Sequence, residues 1–180
     1  MKKNKMTRLI VGNALLIAFT VVFTIISNQI PIAGLTINLS LITIALAAIL
    51  YGPLSGLFIG FVNGAIVMFA AAGFFAINPV ATVFICLLKS GLAGLIAGYL
   101  YKALKNKNEH VAVILATIIV PIINTTIFII GSLLFFGGVF GELITLFVAA
   151  NFIVEFILNL VLSPAIYYIV RVYNQKHYKG

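Results

Sequence analysis

Long apolar runs, separated by short polar breaks, leave this chain few ways to fold. The runs cover 9–26, 39–50, 54–72, 80–101, 111–136 and 143–170. A helix needs about 20 mostly apolar residues to cross a bilayer core, with a working range of roughly 17–25. Inside lipid the backbone must satisfy its own hydrogen bonds, so apolar runs of this length read as helices. Soluble domains carry about a quarter charged residues. Here 63% of the 180 residues are hydrophobic and only 8% are charged. That excludes a soluble globular domain, a disordered tail and a disulfide scaffold. Cys86 is the only cysteine, so a cysteine-based zinc site is excluded too. The expected fold class is an all-α integral membrane protein, one membrane domain over 1–180. Its helices are expected near 9–27, 36–51, 53–72, 79–101, 111–136 and 142–171. Tyr51-Gly52-Pro53 reads as a tight turn and 73–79 as a loop. Asn78-Pro79 reads as a break and helix start. Pro121 is placed to kink the fifth helix, and Gly137, Gly138 and Gly141 mark a loop.

The net charge of +8 tests the helix count. Six spans place both termini, the 51–53 turn and the 102–110 linker on one side. That side holds Lys2, Lys3, Lys5, Arg8, Lys102, Lys105, Lys107, Arg171, Lys176 and Lys179, ten of the eleven basic residues. The loops at 27–38, 73–79 and 137–142 contain no Lys or Arg. The positive-inside rule then predicts six transmembrane helices with both termini cytoplasmic. The same distribution argues against nucleic acid, since no basic face interleaved with stacking aromatics is present. The N-terminal apolar stretch exceeds a signal h-region and lacks a small-x-small cleavage pattern, so it reads as a retained helix.

In such a chain the informative residues are the polar ones within the spans. A charge near the bilayer centre costs about 2.5–3.5 kcal/mol on insertion scales and marks a function by default. Lys89 lies roughly 15 Å from the outer end of the fourth helix at 1.5 Å per residue. Glu155, in the sixth helix, sits at similar depth. Either the two pair to fix helix packing, or they serve a ligand site near the bilayer middle. Asn151, Glu155 and Asn159, four apart, line one stripe of a helix. Asn124, Thr125 and Thr126 lie mid-way along the fifth helix, Asn63 in the third, and Asn78 at the mouth of the fourth. The converging set on helices four to six suggests a polar pocket. Outer loops carrying Asn38, Gln29, Thr36, Phe74, Phe75 and Phe140 are placed to close over a small molecule. Each also has a plain reading, as interhelical glue, turn chemistry or interfacial aromatic. The substrate-binding candidates are Lys89, Asn78, Asn124, Thr125, Asn151, Glu155, Asn159, Asn38 and Phe75.

Small residues recur every fourth position: Gly56, Gly60 and Gly64; Ser90, Gly94 and Gly98; Ala14 and Ala18. This pattern lets helices approach closely. In helix one it falls toward the cytoplasmic end, where a partner can dock. There is no Walker A motif, so ATP hydrolysis is not expected here, and no acid cluster suits a metal. No catalytic residue, metal or cofactor is expected. His110 and His177 read as solvated.

With these features the chain resembles the substrate-binding S-components of bacterial energy-coupling factor (ECF) vitamin transporters. The likeness rests on length, topology and Ala14-Leu15-Leu16-Ile17-Ala18, which matches the family's AxxxA motif. The resemblance implies a vitamin bound in the outward half, among helices four to six and the outer loops. It implies docking through Ala14 and Ala18 on a transmembrane T-component, two cytoplasmic ATPase subunits, and a place in the bacterial cytoplasmic membrane. Toppling of the S-component in the bilayer would release substrate inward. The stretch Ala76-Ile77-Asn78-Pro79-Val80-Ala81-Thr82, with Cys86-Leu87-Leu88-Lys89, looks most like members assigned to pantothenate. Lys89 would receive its carboxylate. If Glu155 neutralises Lys89, the pocket suits a neutral vitamin such as riboflavin instead. A stand-alone transporter or channel, or a small membrane enzyme using Lys89 and Glu155, are the readings from other classes.

Overall fold

The computed structural model describes residues 2–29, 31–32, 35–36, 38–70, 72–137 and 142–178. Among these the order is α1 (Lys2–Gln29), β1 (Pro31–Ile32), β2 (Leu35–Thr36), α2 (Leu41–Leu50), α3 (Pro53–Ala70), α4 (Ala72–Ile77), α5 (Pro79–Leu104), α6 (Glu109–Phe136) and α7 (Glu142–Tyr178). Three elements stand where loops are expected from the sequence. β1 and β2 pair antiparallel, Pro31 opposite Thr36. The single-turn helix α4 occupies most of 73–79. The expected loop glycines Gly138 and Gly141, with Phe140, lie outside the described residues.

Local chemistry sets the helix boundaries. Gly52 takes φ +100°, a conformation open to glycine, and Pro53 starts α3 at once. Asn78 caps α5 by accepting from Ala81 N at 3.1 Å, and Asn108 caps α6 by accepting from Val111 N at 3.2 Å. Pro121 lies within α6 without ending it.

By length and composition, four segments can cross a membrane: Met6–Ser27, Pro79–Leu104, Glu109–Phe136 and Val148–Gln175. The expected second span, 36–51, is only the ten-residue α2, about 15 Å long. The reason is packing. Leu41, Ile44, Ala45, Ala47 and Ala48 are completely buried, so α2 is solvated by protein on most sides. It contacts α1, α3, α5, α6 and α7 and forms the centre of the core with Leu16, Ile59, Ala93, Ala97 and Val120. A helix held this way need not reach both bilayer surfaces.

The tightest seam joins α3 to α5. A Cβ on Gly60 would collide with the Ser90 carbonyl, one on Gly64 with that of Cys86, and one on Gly94 with that of Gly56. Such contact is backbone against backbone, and neither side can yield. Gly60→Leu is therefore expected to prevent folding, with almost no monodisperse protein on gel filtration in detergent. Gly73→Leu is the control, because nothing lies within 4 Å of a Cβ there. Equal yields of the two variants would remove the seam from the account.

Helix α1 turns its polar side inward. Asn13, Thr20, Thr24 and Ser27 are buried, whereas Val11, Leu15, Val22 and Ile25 are exposed. Asn13 Nδ2 donates to Ser55 Oγ at 3.2 Å, and Thr20 and Thr43 join their hydroxyls at 2.7 Å. Ala14 and Ala18 lie on the exposed side.

Candidate functional site

Three helices and one turn bring polar side chains together inside the fold. Ser40, just before α2, donates to Oδ1 of Asn63 on α3 and shares that proton with Oδ1 of Asn38. Asn63 Nδ2 donates to Ser90 Oγ on α5 at 3.1 Å, and Ser90 donates to Asn124 Oδ1 on α6 at 3.4 Å. Ser40, Asn63 and Ser90 are fully buried, and Asn124 nearly so. This chain of bonds ties α2, α3, α5 and α6 at one level. It gives Asn63 a packing role and occupies one end of Asn124.

The second group lies on α7. Glu155, 3% exposed, accepts at Oε1 from the Asn38 backbone N–H at 3.2 Å and from Asn151 Nδ2 at 3.1 Å. The Asn38 bond holds the segment after the β1–β2 hairpin against α7. Leu39 N, donating to Ser27 Oγ at 3.1 Å, holds the same segment against α1. Asn159 Nδ2 donates to the Glu155 main-chain carbonyl at 2.8 Å. The stripe Asn151, Glu155 and Asn159 thus faces the protein, and lipid does not touch its central carboxyl.

Lys89 is 9% exposed on α5. Its Nζ stands 4.9 Å from the centroid of Phe128, a cation–π contact. Among the described residues it forms no ion pair with Glu155. Beyond Phe128 an aromatic wall continues. Phe74 meets Phe128 and Phe136 edge-on, with centroids 5.9 and 5.2 Å away.

The structure thus gathers Lys89, Glu155, Asn151, Asn159, Asn38 and Asn124 within the bundle. Other candidates stand apart. Phe75 is exposed, and its neighbour Phe74 supplies the aromatic wall, because α4 turns consecutive side chains about 100° apart. Asn78 spends its carbonyl oxygen on the α5 cap. Thr125 is half-buried and takes part in none of the described hydrogen bonds, while Thr126 back-bonds to Ile122 O on an exposed face. His110 is exposed and packs edge-on against Tyr167. Sequence reasoning missed Phe128. Its signal was present: it lies four residues after Asn124, on the same face of α6.

Among the described residues, then, a buried lysine with no ion pair to Glu155 stands beside an aromatic wall, in a protein with four segments long and apolar enough to cross a membrane. The family model of the ECF transporter substrate-specific component matches residues 8–170. The chain belongs to that family, and is a substrate-binding subunit of an ECF transporter rather than an enzyme. Compared with curated proteins, the chain finds no match.

Proposed function

We propose that this chain captures pantothenate outside the cell and delivers it inward, with Lys89 receiving the carboxylate. The observation that carries the reading is Lys89 itself. It is buried, has an aromatic face for company and makes no ion pair with Glu155. Among the described residues no acid pairs with it, and an acidic ligand would supply that partner. Riboflavin would require Glu155 to neutralise Lys89 directly, and Glu155 directs Oε1 to Asn38 and Asn151 instead.

In this proposal six helices pass through or into the bacterial cytoplasmic membrane, with both termini cytoplasmic. The distribution of ten basic residues supports that orientation. Ala14 and Ala18, exposed on α1, dock on a transmembrane T-component, and two cytoplasmic ATPase subunits supply the energy. Mass spectrometry of small molecules co-purifying with the tagged chain tests the substrate, with pantothenate as the expected ion. Recovery of another vitamin would overturn that assignment. Failure to recover a T-component and ATPases from native membranes would overturn the assembly.

A further inference from the structure

The buried side chains on α7 show a bias in hydrogen-bonding polarity. Asn159 is 1% exposed, and its Nδ2 is bound to the Glu155 carbonyl. That carbonyl can only accept, so the amide cannot be turned the other way. Asn151 Nδ2 is fixed in the same sense by Glu155 Oε1. Both amides therefore direct their donors at residue 155. The opposite atoms, Asn151 Oδ1 and Asn159 Oδ1, are buried with no hydrogen-bond partner among the described residues. Leaving a buried acceptor unmet costs about 1–3 kcal/mol, and here two such atoms flank one carboxyl. They lie eight residues apart on one helix face, about 12 Å along its axis. Lys89, on α5, carries only donors, and its neighbour Ser90 is joined through Asn63 and Ser40 to Asn38, whose backbone N–H donates to Glu155.

We infer that the site is polarised, with an acceptor stripe on α7 and a cationic donor on α5, and that it selects a ligand carrying an anionic group at one end and O–H or N–H donors at the other. The ligand lies with its anion toward Lys89 and its donors toward Asn151 and Asn159. Glu155 is a positioning residue in this arrangement, since it sets the sense of both amides. A purely anionic ligand leaves the α7 oxygens unmet, and a purely hydroxylated one leaves Lys89 unmet. The inference rests on the reading of this chain as a binder of a small acidic vitamin, and it adds the orientation and the second recognition element.

Calorimetric titration of the full chain in detergent tests it with three probes. They are pantothenate, panthenol (a hydroxymethyl group in place of the carboxylate) and N-(3,3-dimethylbutanoyl)-β-alanine, which keeps the carboxylate and lacks both hydroxyls. The wild type is expected to favour pantothenate at least tenfold over either. Asn159→Leu is expected to shrink the preference over the dideoxy probe towards unity and to leave the preference over panthenol unchanged. Lys89→Met does the reverse. A melting curve in detergent shows that each variant is folded. Asn151→Leu provides a second reading should Asn159→Leu not fold. If the leucine variants weaken all three probes equally, the amides are structural and the inference is overturned. If the wild type binds none of the probes, pantothenate falls as the substrate, and polarity is read from the compound the chain retains. An anion bearing hydroxyl or amine donors supports the inference; a ligand lacking either feature, or no ligand at all, overturns it.

Discussion

Lys89→Met is expected to bind pantothenate at least tenfold more weakly than the wild type and, without ligand, to melt at a higher temperature. The two effects have opposite signs for one reason. A buried lysine in a spanning helix costs about 2.5–3.5 kcal/mol on insertion scales. The Phe128 face at 4.9 Å returns only about 0.5–2 kcal/mol. No carboxylate among the described residues pairs with Lys89 to close the gap. Methionine fills similar space without the charge, so the empty fold gains. The bound state loses a charge-assisted hydrogen bond, worth about 1.5–3 kcal/mol, and about 1.4 kcal/mol is tenfold in affinity. A structural lysine behaves differently: its removal lowers the melting temperature. Melting and titration of the same sample separate the cases, and a variant that melts lower with unchanged affinity would remove Lys89 from the ligand site.

The second large effect is expected on the outer face of α1. The double variant Ala14→Phe, Ala18→Phe should no longer recover the T-component and ATPases on affinity purification, yet should bind ligand as tightly as before. Both alanines lie on the exposed side of α1, one turn apart. The internal bonds of α1 are made by Asn13 to Ser55 and by Thr20 to Thr43, on its other side. Bulk added at 14 and 18 projects away from the fold and disturbs nothing inside it. It blocks only the close backbone approach that small residues permit. Loss of ligand binding in this variant would show that the alanines serve internal packing.

How far these features could be read from the sequence depended on whether the physics was local. Intramembrane Lys89 and Glu155 and the four-residue stripe on α7 were legible, since burial cost and helical period need no tertiary knowledge. So were the small-residue rows, although only the structure pairs Gly60 with Ser90 and Gly64 with Cys86. The length of α2 was not legible. An apolar run looks the same whether lipid or protein surrounds it, and α2 is buried in protein. Which of Phe74 and Phe75 turns inward was not legible for a related reason. Adjacent aromatics are equivalent in composition, and only the path of α4 turns one inward. The role of Ser40 was invisible, because one of its two partners, Asn63, comes from α3 and is brought near only by the fold. Whether Lys89 and Glu155 touch could not be settled from equal depth alone.

The α3–α5 seam bears on how such a protein can change over generations. Its contacts are made by backbone atoms at Gly56, Gly60, Gly64 and Gly94, so almost any mutation there is lethal to the fold. Lys89 stands one position before Ser90 in that seam, and its origin is held in place without its side chain contributing to the join. On α6, Asn124 accepts from Ser90, and on α7 the donors of Asn151 and Asn159 are each held by one bond to Glu155, bonds that can be exchanged one at a time. On the site proposed above, a new ligand preference can arise by mutation on α6 and α7 while the frame that carries Lys89 stays unaltered.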